Sequence, residues 1–307
     1  MRARAFALAA LIALAAPAAG AVVILERTWR ANGGGEENWA GGFGAHDALA
    51  REPQFRAMVA LTQDRREWGV ASGVWLGNAG GSAYVLTAGH VVTDGTRAEQ
   101  IELRSFGGTV RRGVEYFVHP GWNNQVDTRG GMDFAIIRFD GPVNDAGPAP
   151  ALYSGRDELG KRAVMIGAGT HGVAPYGHGY RFGPDHGAVL TAAENVIDRV
   201  VAVQLGGELG DWGNHLSIDL DEPGGSKNRF GDAAPISPLE GVLAPGDSGG
   251  SLWASFNGRW RVVGVNSSGD PGADYQDVSN FARVSTQRQW IRSIFPGVRF
   301  EGDKVGD

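Results

Sequence analysis

Residues 73–90 read Gly73-Val74-Trp75-Leu76-Gly77-Asn78-Ala79-Gly80-Gly81-Ser82-Ala83-Tyr84-Val85-Leu86-Thr87-Ala88-Gly89-His90. Two strand-length apolar runs, Gly73 to Leu76 and Tyr84 to Thr87, flank a cluster of turn residues at 77–81, and the second run ends on a histidine. This is a hairpin pattern, not a helical one. It repeats along the chain: Met58-Val59-Ala60-Leu61 precedes it, and Phe134-Ala135-Ile136-Ile137 follows. Short runs bounded by Gly, Asn and Asp, without intervening helical periodicity, predict an all-β sandwich or barrel and not βαβ units.

A second set begins after Gly141–Pro150, a Pro-rich linker. It comprises Ala163–Ile166, Val200–Val203, Ser251–Trp253 and Trp260–Val265. Trp290, Ile291 and Ile294 then fall at helical spacing, which predicts a short C-terminal helix within Thr286–Phe295. Composition agrees. The chain has 307 residues with 49 Gly and 14 Pro, about a fifth of the total, below the level of a disordered or collagen-like chain. So much Gly is poorly compatible with a helical bundle, because each interior Gly costs a helix about 1 kcal/mol relative to Ala.

Arg2 and Arg4 precede an apolar stretch from Ala5 to Ala16, with small residues offering cleavage after Ala19 or Ala21. This reads as a secretory signal peptide, too short for a membrane span, and predicts a secreted or periplasmic bacterial protein. Its removal deletes two Arg and no acid, taking the formal charge from −6 to −8. Such a balance argues against nucleic acid or an anionic membrane as partner. The absence of Cys excludes thiolate zinc sites, cysteine nucleophiles and a disulfide frame. An exported chain of about 286 residues must then rely on its core alone.

Three segments carry chemistry. His90 stands at a turn after a strand, and Asp133 opens the run Phe134–Ile137. Ser248 lies inside Gly246-Asp247-Ser248-Gly249-Gly250, before another strand. Acyl transfer needs such a set: a hydroxyl nucleophile, an imidazole base and a carboxylate that fixes the imidazole's tautomer. The Gly-rich turn can aim backbone N–H groups at a developing oxyanion. The same string fits the G-x-S-x-G elbow of α/β-hydrolases, which requires the acid and the His to follow the Ser. No His follows His215, so that reading fails. The order here is His, Asp, Ser.

On these residues the chain resembles the trypsin-like, chymotrypsin-fold serine proteases over roughly residues 55–296, its wording being nearest to secreted bacterial members. Thr87-Ala88-Gly89-His90, Asp133 before Phe134, and Ser248 within Gly-Asp-Ser-Gly-Gly match the family's three catalytic motifs in order. His119-Pro120-Gly121-Trp122 also resembles the family as a structural strand end. The resemblance implies two packed antiparallel six-stranded β-barrels with a short C-terminal helix. Domain boundaries follow: signal peptide 1–21, irregular lead-in 22–53, a first barrel 54–150 carrying His90 and Asp133, a second barrel 151–296 carrying Ser248, and a tail 297–307.

The resemblance further implies an endopeptidase acting through an acyl-enzyme. Its oxyanion hole would be formed by the Gly246 and Ser248 N–H groups. Ser267, Ser268 and Gly269 would pair with extended substrate. Val242, six residues before the nucleophile, would form the base of the specificity pocket; with Gly269 and Ser279 it describes an uncharged pocket for apolar or small side chains. A polypeptide is the implied substrate, no cofactor is implied, and a monomer is expected. Alternatives are a catalytically silent homologue that only binds, and an esterase-like hydrolase with the same triad.

Asp247 matches the carboxylate that pairs with a new N-terminal ammonium in activated family members, yet no Ile-Val-Gly-Gly start follows a basic site. An N-terminus released by cleavage or an internal Arg would serve. Insertions fall around 168–188 and 205–235. Among them His171, His178 and His186 lack helical zinc spacing and read as a mobile polar loop. Asp211, Asp219, Asp221 and Glu222 read as solvated loop charges, with calcium ligation the competing reading.

Overall fold

The computed structural model describes residues 22–93, 95–122, 131–180, 189–201, 213–231 and 234–301. The lead-in contributes β1 (Val23–Leu25), α1 (Glu26–Ala31) and α2 (Gly44–Ala50). Six strands follow: β2 (Met58–Leu61), β3 (Ala71–Ala79), β4 (Ser82–Thr87), β5 (Glu102–Ser105), β6 (Val110–Val118) and β7 (Ala135–Phe139). The one-turn helix α3 (His90–Thr93) sits after β4. These strands form a closed barrel in the order β2-β3-β4-β7-β6-β5, with β5 returning to β2. Closure removes both sheet edges and surrounds Val74, Val85, Leu103 and Ile136, all fully buried.

The second half contains β8 (Ala151–Leu152), β9 (Arg162–Gly167), β10 (His171–Ala174), β11 (Gly177–Tyr180), β12 (Thr191–Val196), β13 (Arg199–Val201) and β14 (His215–Asp219). It continues with β15 (Gly241–Val242), β16 (Ser251–Phe256), β17 (Arg259–Gly269), β18 (Val278–Arg283), α4 (Arg288–Ile294) and β19 (Arg299–Phe300). The main path runs β12-β9-β16-β17-β18-β14-β13 and curls into a half-barrel. The expected all-β architecture in two halves therefore holds; among the described residues only the first half closes fully. Between the halves, the Phe55 ring meets Trp253 at 5.5 Å and Trp260 at 5.2 Å, edge to face.

One expectation is corrected outright. Residues 22–53 are not an irregular lead-in. β1 is a central strand, parallel to β10 and antiparallel to β15, with Val22 to Leu25 buried. A run of four consecutive apolar residues needs cover on both faces, and only a sheet interior gives it. His171 and His178 likewise sit on β10 and β11 instead of a loop, whereas His186 lies outside the described residues.

The supposed solvated acids are also placed differently. Asp219 and Asp221 are buried, Glu222 is half-buried, and the neighbouring Glu240 is buried as well. Asp219 accepts N–H bonds from Arg229 and Phe230, while Glu240 accepts them from Asp221 and Ile236. Burial, opposed by those bonds and assisted by the neighbouring carboxylates, pushes Glu240 up to about 7. Asp211 lies outside the described residues, and among those described no group of three or more His, Asp and Glu is arranged to hold a metal. No described helix is long and apolar enough to cross a membrane.

Candidate active site

Strand pairing brings the three motif residues to one seam. In the β4–β7 ladder Thr87 stands opposite Ala135, so His90, just beyond β4, meets Asp133, just before β7. The Asp133 Oδ2 atom lies 2.7 Å from His90 Nδ1, and its Oδ1 accepts the His90 backbone N–H at 2.9 Å. The carboxylate thus holds both the ring and the chain that carries it. A ring N–H on Nδ1 leaves Nε2 as the free, basic nitrogen. Ser267 donates its hydroxyl to the same Oδ2 at 2.7 Å. That contact depends on the register shift between Asn266 and Ser268 in the β17–β18 ladder, a bulge that turns Ser267 toward the first barrel.

Ser248 is on a turn leading into β16. In the sheet Ser251 pairs with Ile166 of β9 and Val265 of β17, so the turn is anchored from two sides. It also reaches across the seam. The Ser72 N–H of β3 donates to the Ser248 carbonyl at 2.8 Å, and the Ser72 Oγ accepts the Ala168 N–H at 2.8 Å. Gly249 is required here twice over. Its φ is +76°, and a Cβ would stand 1.9 Å from Thr87 Oγ1. The Ser248 turn is therefore packed directly on the strand end that presents His90. The Ser248 hydroxyl and His90 Nε2 make no hydrogen bond to each other or to other described residues.

Beside Ser248 opens a cavity of about 140 Å³, lined by Leu243, Ala244, Ser267, Ser268, Gly269 and Asp270 among others. Val242 is not part of this lining. Its pairing with Val23 of β1 sets its side chain into the second core, and Leu243 takes the wall instead. Ser279 stands behind, its Oγ accepting the Leu243 N–H at 2.9 Å. The Asp270 Oδ2 accepts the Val278 N–H at 3.0 Å, so this rim carboxylate is already engaged.

Asp247 is fully buried beneath the turn. Its Oδ2 accepts N–H bonds from Ala244 at 2.9 Å and Val22 at 3.1 Å, and its Oδ1 accepts the Gly169 N–H at 3.0 Å. Desolvation pushes its carboxyl up to about 6 despite these three bonds. Sequence reasoning left the partner open between a chain terminus and an Arg. The structure puts Val22 N there.

The profile of the trypsin-like peptidase domain matches residues 71–265, well over half of the chain. This chain belongs to the trypsin-like peptidase family. Among solved structures, this trypsin-like peptidase is similar to neuropsin, a serine protease expressed in the limbic system of mouse brain. The likeness has a TM-score of 0.53 at 18% identity and covers 79% of this chain and 96% of that one. At that identity it bears on the fold alone. No curated protein matches the chain.

Sequence reading of this trypsin-like peptidase missed Ser72, Thr170 and Asn266, which hold the Ser248 turn by hydrogen bonds. It also missed the Trp122 ring 6.4 Å from that of His90, tied by its Nε1–H to Thr93 Oγ1 at 3.2 Å. The motif at 119–122 was the signal for the last. For the first three there was none.

Proposed function

We propose that this trypsin-like peptidase is a secreted serine endopeptidase with Ser248 as nucleophile, His90 as base and Asp133 as its orienting carboxylate. Ser248 Oγ attacks the peptide carbonyl carbon and its proton passes to His90 Nε2. The C–N bond then breaks, and the amine leaves with that proton, giving an acyl-enzyme. Water, deprotonated by the same imidazole, releases the acid. The Gly246 and Ser248 N–H groups stabilise the oxyanion of each tetrahedral intermediate.

The observation that carries the reading is the two-handed grip of Asp133 on His90, through Nδ1 at 2.7 Å and backbone N–H at 2.9 Å, at a seam shared with the Ser248 turn. Uncharged walls from Leu243, Ala244, Ser268 and Gly269 support a preference for apolar or small P1 side chains. Ser267 to Gly269 would pair with extended substrate backbone. We further propose cleavage of the leader after Ala21, so that the mature chain starts at Val22.

The test is digestion of a mixed peptide library, with products identified by mass spectrometry. Cleavage after small or apolar residues, absent in Ser248→Ala, is expected. Cleavage confined to simple esters, or persisting in Ser248→Ala, contradicts the proposal.

A further inference from the structure

The reading of Ser248 as nucleophile needs its neighbouring N–H groups to point outward, and the structure shows what holds them. In residues 246–249 the backbone donors alternate. Asp247 N–H donates to Ala244 O at 3.1 Å and Gly249 N–H to Asn266 O at 2.9 Å. Gly246 N–H and Ser248 N–H donate to no described group. In a trans peptide the C=O and the following N–H point in opposite directions within one plane, so whatever fixes the oxygen aims the hydrogen.

Both oxygens are clamped. The Pro245 carbonyl, which shares its peptide with Gly246 N–H, accepts Thr170 N–H at 2.7 Å and Thr170 Oγ at 3.0 Å. The Asp247 carbonyl, which shares its peptide with Ser248 N–H, accepts Gly250 N–H at 3.0 Å and Asn266 Nδ2 at 3.0 Å. Asn266 is fully buried, and its amide also donates to Ile166 O at 3.1 Å, tying the clamp to β9. Two carbonyl acceptors settle which end of the amide faces them. Its Oδ1 is buried with no hydrogen-bond partner. A buried Asn that leaves its acceptor unsatisfied is here as a donor.

We infer that Thr170 and Asn266 are positioning residues for the oxyanion site, each aiming one N–H by holding the carbonyl of the same peptide. The inference rests on the proposed role of Ser248 and adds two residues that belong to none of the three motifs. Asn266 borders the cavity beside Ser248, but its side chain is fully buried with the amide turned to the Ile166 and Asp247 carbonyls. Loss of a clamp lets a peptide plane rotate and costs transition-state binding, not ground-state binding.

The experiment compares wild type with Asn266→Leu, which keeps the branched shape and removes both donors, and Thr170→Val, which removes only the hydroxyl. Each is assayed for kcat and KM on a peptide anilide and for the affinity of a peptidyl trifluoromethyl ketone, whose hemiketal oxygen mimics the oxyanion. Asn266→Leu should lower kcat and ketone affinity together by about 10- to 100-fold, below the 10²–10³ seen when a donor is deleted outright. Its KM should stay within about threefold. Thr170→Val should show a smaller parallel drop, about three- to tenfold, restored in Thr170→Ser.

The pH profile of kcat/KM should keep its shape in all of them, because the His90–Asp133 pair is untouched. If Asn266→Leu does not fold, the Thr170 pair carries the test alone. Variants with wild-type kcat and ketone affinity, or with only KM altered, overturn the positioning role while leaving the nucleophile in place. A wild-type protein that neither turns over the anilide nor binds the ketone overturns both.

Discussion

Leave two residues ahead of Val22 and the buried Asp247 loses its counter-charge. The carboxyl is raised from 3.8 to about 6 by burial, opposed only by three neutral N–H donors. Because folding raises this pKa, the ionised group destabilises the folded state above its unfolded value. The full penalty is present above about pH 6, about 3 kcal/mol by linkage, and vanishes below about pH 4. An α-ammonium on Val22, charged at neutral pH, offsets it through the 3.1 Å contact already in place.

Backbone conformation points the same way. Val22 has φ +55°, where a β-branched residue clashes with the preceding carbonyl oxygen. A chain that starts at Val22 has no such oxygen. The assay is thermal melting and peptide hydrolysis, from pH 4 to 8, of a chain starting at Val22 and one retaining Gly20-Ala21. At pH 7 the shorter chain should melt roughly 6 °C higher, at about 2 °C per kcal/mol for this size. The gap should close as pH falls through 6 toward 4 and should disappear in Asp247→Asn. Equal melting at pH 7, or a gap that widens in acid, refutes the reasoning.

Other consequences are read more directly. Asp133→Asn places an amide where both oxygens now accept hydrogen bonds from His90 and Ser267; kcat should fall by about 10⁴ while melting changes little. His46 on α2 and His171 on β10, both buried, are pushed down by desolvation to about 4 and about 3. Their folded pKa values lie below the unfolded one, so stability should decline as pH drops from about 6.5 through these values, about 3 kcal/mol for His46 alone. Chemical denaturation should show a shallower decline in His46→Leu. Glu158 takes two bonds from the buried guanidinium of Arg283, at 2.9 and 2.6 Å. Glu158→Leu should therefore cost about 3–5 kcal/mol in urea unfolding, since it leaves a buried charge unpaired.

Four of the first barrel's six strands were readable as short apolar runs, whereas β5 and β6, with charged residues such as Arg104, Arg111 and Glu115, were not. Gly80 and Gly81 turn β3 into β4 within the quoted stretch, and the turn residues themselves declare the pairing. The three motif residues were readable as candidates because each sits near a strand end and has the chemical type its proposed task needs. β1 was not. A run of four apolar residues gives no period, and the Val23 partners Gly172 and Val242 are about 150 and 220 positions away.

The same distance hid the support of the site. Ser72, Thr170 and Asn266 look like ordinary polar residues in strands or turns, because what they do consists of single bonds to carbonyls or amides far along the chain. Counting six residues back from Ser248 reached Val242, one residue short of the cavity wall. The β1–β15 register then decided that Leu243 and not Val242 faces it. The Arg283–Glu158 pair, 125 residues apart, could not be seen from either end.

The central claim is that Ser248 is an activated nucleophile. Incubation of the chain starting at Val22 with a fluorophosphonate, followed by tryptic mass spectrometry, tests it most directly. One phosphonyl adduct on the peptide containing Ser248 is expected, and it should be absent in Ser248→Ala and His90→Ala. No adduct on the folded protein, or labelling that survives in Ser248→Ala, contradicts the account.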